Sequence, residues 1–168
     1  KIKAPAAWSR SHGSPARRIA ILDSGIDESN TNADLANLVV AHKDFTGSTF
    51  GTQDKFGHGT HVAGIAGAIT NNRFGVASVA FDTRLLNGKV LDDVGNGSMS
   101  MLIDAIRWAK DNGAEVINMS LGGHEDCNPS YFEDFFGIGR AELRDAINEA
   151  FGAGVVLVAS AGNNNSAQ

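Results

Sequence analysis

Short aliphatic runs separated by stretches of helical spacing constrain this chain more than any other feature. "RIAIL" at 18–22 reads as a buried strand that stops at the turn signal "DSG". "NLVVAHKDF" at 37–45 reads as a second strand, followed by a polar, Gly-containing loop up to Phe56. The small residues of "HVAGIAGAI" suit a helix packed tightly on its neighbours. "TRLLNGKVL" at 83–91 predicts another strand, although Asn87-Gly88 inside it is a turn dipeptide. In "SMSMLIDAIRWAKDNG" the apolar Leu102, Ala105, Ile106 and Ala109 share a helix face. That helix starts at Ser98 or Ser100 and has its stop at Gly113. "EVINMSL" (115–121) is a strand, "AELRDAINEAFGAG" (141–154) a second capped helix, and "VVLVAS" (155–160) a buried strand. Alternation of this kind implies right-handed crossovers and a parallel sheet with helices on its faces, the α/β class.

At 168 residues the chain is long enough for one domain with a proper core. A net charge of −5 argues against a nucleic-acid-binding surface, and no apolar run is long enough to cross a bilayer. Cys127 stands alone, so no disulfide closes within the chain. The sequence opens at Lys1 without a signal peptide, which fits a cytosolic protein or a processed mature chain. "HEDCNPSYFEDFFGIG" at 124–139 breaks the rhythm. It is acidic, aromatic and turn-rich, and reads either as a surface elaboration or as a wall of a cleft. In the second case Glu125, Asp126 and Asp134 would select basic substrate residues.

Polar residues fall where such a sheet binds ligands. Asp23 follows one strand, Ser120 closes another and Asn163 lies just beyond a third, which places all three at the carboxyl edge. Taken alone, Asp23 reads as a turn residue making an Asx hydrogen bond. In company it is a buried carboxylate that orients a histidine. His58 and His61 stand three apart with Gly and Thr between them. The helical zinc signature needs a spacing of four with an acid between, and no cysteine cluster or nearby third histidine completes a tetrahedral set.

Four blocks carry a resemblance. "ILDSGID" (21–27), "HGTHVAG" (58–64), "INMSLGG" (117–123) and "ASAGN" (159–163) resemble, in order and in spacing, the signature blocks of the subtilisin-like serine proteases. "AGIAGAITNNRFGV" resembles the thermitase branch. The resemblance implies a three-layer sandwich with a mostly parallel central sheet, and a secreted serine endopeptidase. It makes Asp23 the triad carboxylate, His58 the general base at a helix start, and Asn163 the side-chain donor to the oxyanion. Gly57 and Gly59 would let backbone approach there, and His61 would be a packed or hydrogen-bonded helix residue. Gly95-Asn96-Gly97 and Ser120-Leu121-Gly122 match the two edges that sandwich an extended peptide or protein substrate by main-chain pairing. Met99, Leu102 and Leu121 would line the pocket for the fourth residue before the cleaved bond. Leu91 would border the second-residue pocket, and Ala159, Ser160 and Ala161 would form one wall of the first.

The family's calcium site corresponds to Asp34, the Asn72 side chain and the carbonyls of Ile69, Phe74 and Val76, oxygen ligands of the kind a hard cation takes. A further ligand normally comes from residues upstream of "IKAP", and Asn32-Ala33 replaces the usual His-Pro before Asp34. The family's nucleophile sits in a Gly-Thr-Ser-Met-type block downstream of the Asn, and none of the serines here occupies such a block. The 168 residues therefore read as the N-terminal part of a single peptidase domain. Its partner would be a C-terminal fragment carrying the serine, and an inhibitory propeptide is a further implied partner. The competing reading is a non-catalytic homologue that binds peptides or regulates a partner.

Overall fold

A computed structural model describes residues 2–29, 33–122 and 139–163. Its centre is a five-stranded sheet in the order β2-β3-β1-β4-β5, every described pair being parallel. The strands are β1 (Arg18–Asp23), β2 (Val39–Asp44), β3 (Arg84–Lys89), β4 (Val116–Met119) and β5 (Val156–Ala159). The helices are α1 (Ala4–Trp8), α2 (His58–Gly67), α3 (Met99–Asp111) and α4 (Gly139–Gly152). One core cluster joins Ala63 of α2 to Ile21 and Leu85. The other gathers Ile106 of α3 and Ala146 and Ala150 of α4 on Leu22, Leu86 and Ile117. Helices thus cover both faces, as the three-layer architecture requires, and the α/β reading holds.

The central strand is an apolar run because it is covered on both sides: Ala20, Ile21 and Leu22 are fully buried. β2 begins only at Val39, since Asn37 is left-handed at φ 64° and cannot continue a strand. Asn87-Gly88, a turn signal on paper, lies inside β3. A Cβ on Gly88 would sit 2.5 Å from Leu22 Cδ2 and 3.3 Å from Trp108 Cζ3, so close packing explains the glycine. Ser98 caps α3 by accepting from Met101 N, and Gly113 at φ +73° follows its end. Ile103 joins the buried face of α3, whereas Leu102 is only half-buried.

Two features depart from expectation. α1 carries no apolar periodicity and was not foreseen. At its last position Trp8 donates Nε1 to Val79 O at 2.9 Å and meets Phe81 edge-on, so tertiary contacts hold the segment. β5, expected to be buried, is an edge strand: Val156 is 57% and Val158 45% exposed. Its outer edge and this face lack a cover among the described residues. The excursion at 124–139 lies outside the described residues except for the backbone of Gly139.

Candidate active site

β1 delivers Asp23 to the carboxyl edge with its side chain buried. Opposite, the chain must turn abruptly into α2. Gly57 does this at φ +94°, a conformation that favours glycine, and His58 becomes the first helical residue. His58 Nδ1 then lies 2.8 and 2.9 Å from the two oxygens of Asp23. Asp23 is 1% exposed and His58 42%, so one partner is fixed in the protein and the other faces outward. An imidazole donating Nδ1–H to a carboxylate presents Nε2 as an acceptor, the state a proton-abstracting base needs. Such close approach depends on Gly59, whose Cβ would fall 2.1 Å from Gly25 O.

Sequence reasoning passed over the residues that hold this pair. Asp54 Oδ1 accepts from Ser24 Oγ, Phe56 N and Gly57 N, and its Oδ2 from Thr60 N and Thr60 Oγ1, at 2.7 to 3.1 Å. Ser24 Oγ in turn accepts from Gly59 N at 2.9 Å, so Asp54 and Ser24 clamp both sides of the Asp23–His58 contact. Asp54 also satisfies orphan amides at the start of α2. An acid just ahead of a helix start was the available signal. His61, expected to be packed or hydrogen-bonded in the helix, is exposed with its amide on Gly57 O at 3.3 Å, because this face of α2 is uncovered among the described residues.

Asn163 follows β5 after Gly162 (φ +82°) and is exposed; among the described residues it is hydrogen-bonded to neither Asp23 nor His58. Two expected substrate segments are built as backbone edges. Asp92 Oδ1 accepts from Val94 N and Asn96 N, folding the loop that presents Gly95 and Gly97. A Cβ on Gly95 would press on the Phe56 ring, and one on Gly97 would fall 2.3 Å from Val90 O. Ser160 N donates to Met119 O and Ser160 Oγ to Leu121 O at 2.7 Å, tying 120–121 to 159–161. Ser120 Oγ accepts from Asn118 Nδ2, and Gly122 is exposed with open space at its Cβ position. Leu91, Met99, Leu102 and Leu121 are half-buried against the α3 core, while Ala159 and Ala161 are exposed.

The calcium set also converges. Asp34 is buried, with Asn72 Nδ2 at 2.7 Å from Oδ1 and Val76 N at 2.9 Å from Oδ2. Ile69 N bonds Asp34 O, and Phe74 N bonds Asn72 Oδ1. Asn71, Arg73 and Gly75, all at positive φ, wind the loop around the carboxylate. To take a hard cation, the Asn72 amide would have to turn Oδ1 toward the Asp34 carboxylate and give up its bond from Phe74 N. No three His, Cys, Asp or Glu side chains gather among the described residues, and this set contains only one carboxylate. Charge at the end of β3 is organised as well. The Ser48 hydroxyl, and after it the Lys89 ammonium, hold the Asp93 carboxyl below the usual range.

Known proteins of similar sequence place the chain in a family. The chain is 43% identical over 160 residues to a thermophilic serine proteinase of a Bacillus sp., covering 95% of this chain and 36% of that protein. It is 41% identical over 163 residues to thermitase of Thermoactinomyces vulgaris (97% and 53%), and 39% identical over 169 to subtilisin of Bacillus pumilus (99% and 54%). The chain thus spans about a third to a half of the length of these curated relatives. A family model described as the subtilase family, peptidase S8, matches residues 16–168. With nearly all of its length inside that match, the chain belongs to the subtilase family.

Proposed function

We propose that this chain supplies the acid–base half of a serine endopeptidase site. One observation carries the reading: a buried carboxylate bonded through both oxygens to Nδ1 of a partly exposed histidine at a sheet's carboxyl edge. In the reaction, a serine hydroxyl from outside the 168 residues attacks the scissile carbonyl and His58 Nε2 takes its proton. Asp23 holds the tautomer and stabilises the imidazolium. His58 then returns the proton to the leaving amine, and the cycle repeats with water on the acyl-enzyme. Asn163 donates its amide to the tetrahedral oxyanion. Among the described residues no serine hydroxyl is hydrogen-bonded to His58, which supports placing the nucleophile elsewhere.

An extended peptide pairs its backbone with 95–97 and 120–122 and drops side chains against Leu91, Met99, Leu102 and Leu121. Ala159, Ser160 and Ala161 wall the first-residue pocket. Calcium is held by Asp34, Asn72 and the carbonyls of Ile69, Phe74 and Val76, where it ties the α2–β3 loop to the segment after β1. Secretion and an inhibitory propeptide belong to the same reading, as does the C-terminal part of the domain. The test is a fluorophosphonate probe added to chain 1–168 with and without the polypeptide that follows it in the domain. Labelling of a serine in that second polypeptide, with peptide hydrolysis, is expected only when both are present. Hydrolysis by 1–168 alone, or absence of labelling in the pair, would overturn the proposal.

A further inference from the structure

Lys89 is the bulkiest fully buried side chain among the described residues, a cation with no exposed surface at the last position of β3. A buried ammonium persists only where carbonyls or carboxylates meet it. Lys89 Nζ donates to Ser24 O at 2.6 Å and lies 3.2 Å from Asp93 Oδ1, an oxygen otherwise buried without a hydrogen-bond partner. Strand register sets Lys89 beside Asp23 on one side and Asp44 on the other. Asp44 is engaged with Thr46, and Asp23 with His58. Asp23 O accepts from Val90 N and Leu91 N, so the residues after Lys89 also grip the end of β1. Asp93 accepts from Ser48 Oγ at 2.7 Å and precedes Gly95 and Gly97 in the loop folded by Asp92. The charged groups around this corner are therefore Asp23, Asp44, Asp54, Asp93, His58 and Lys55, whose charge also acts on Asp93.

We propose that Lys89 is a positioning residue: its ammonium fixes the strand end that carries Asp23 and, through Asp93, ties it to the loop that presents Gly95 and Gly97. This rests on the peptidase reading above. A single cation then serves two elements, the acid–base pair and one substrate edge, so its two partners are separable by substitution. Lys89→Met removes a positive charge from beside the pair, which makes an imidazolium at His58 easier to form. Asp93→Asn removes a negative charge and has the opposite effect. A role confined to packing would not give opposite signs.

The experiment uses the complete peptidase that contains these residues. Lys89→Met is expected to lower kcat by about 10- to 100-fold with KM nearly unchanged. Asp93→Asn is expected to raise KM by about threefold with a small effect on kcat. The acid limb of kcat/KM against pH moves to higher pH in the first variant and to lower pH in the second. Limbs that move together or stay in place overturn the proposal. If Lys89→Met does not fold, as judged by its thermal melt, the shift in Asp93→Asn decides alone. If the unmodified protein shows no serine-dependent hydrolysis, the peptidase reading fails. The positioning is then read from the low-field Nδ1–H proton resonance of His58, which needs no turnover: displacement or loss in Lys89→Met supports the proposal, and an unmoved resonance overturns it.

Discussion

Replacing Gly59 by alanine tests whether close backbone approach, and not side-chain identity alone, assembles the acid–base pair. The added Cβ would lie 2.1 Å from Gly25 O and 3.1 Å from both Gly25 N and Asp23 Cβ. None of these atoms ends a flexible side chain, so no rotamer change relieves the contact. The start of α2 must retreat by roughly 1 Å before ordinary contact is restored. Such a movement stretches the His58–Asp23 contacts of 2.8 and 2.9 Å out of hydrogen-bonding range. Overpacking of this kind costs about 1–3 kcal/mol, against a helix-propensity gain of at most about 1 kcal/mol for the same change. Misplacing a catalytic group by that distance costs on the order of 100-fold in rate. Thermal unfolding, and kcat/KM of the complete peptidase proposed above, measure the two effects. Gly64→Ala is the internal control: on the same helix its Cβ would meet only Val76 Cγ2, at 3.8 Å. It should stabilise by about 0.5–1 kcal/mol. If Gly59→Ala melts no lower than the parent and keeps kcat/KM within about threefold, the close-approach argument is wrong.

Ser98→Ala removes the oxygen that accepts from Met101 N at the start of α3 and should cost about 1 kcal/mol in a urea titration. Asp34→Ala strips the acceptor for Asn72 Nδ2 and Val76 N. It should lower the melting temperature and abolish any rise produced by added calcium, and a calcium-dependent rise that survives would exclude this site. Gln53, and after it Ser29, hold the Asp27 carboxyl below its ordinary value of 3.8. A lowered folded value means that the ionised form favours the fold. Its contribution is full above the unfolded value and is lost as pH falls through the lower folded one. Asp27→Asn should therefore make the loss of stability below about pH 4 shallower, as read from urea midpoints at several pH values.

Much of the fold was legible in the sequence because strand and helix periods differ and each is written locally. The runs at 18–22 and 115–121 and the helix between Ser98 and Gly113 follow from apolar spacing and caps alone. The order of polar residues at the strand ends likewise points to the carboxyl edge from sequence alone. Tertiary structure decided matters that no local pattern encodes. Asn87-Gly88 is strand and not turn because β1 and β2 pair with it on both sides, and Leu22 and Trp108 leave no room for a Cβ at Gly88. β5 lies on an edge because strand order, not composition, assigns partners. Lys89, a residue normally at the surface, is buried because the Asp93 carboxylate and the Ser24 carbonyl, from different segments, meet its ammonium. The sequence alone named Asp23 and His58. Only folding showed that Ser24, with Asp54 and Gly59 lying 30 and 35 positions further along the chain, holds them at hydrogen-bonding distance. Chemical identity is a property of single residues, whereas distance is a property of the packed chain.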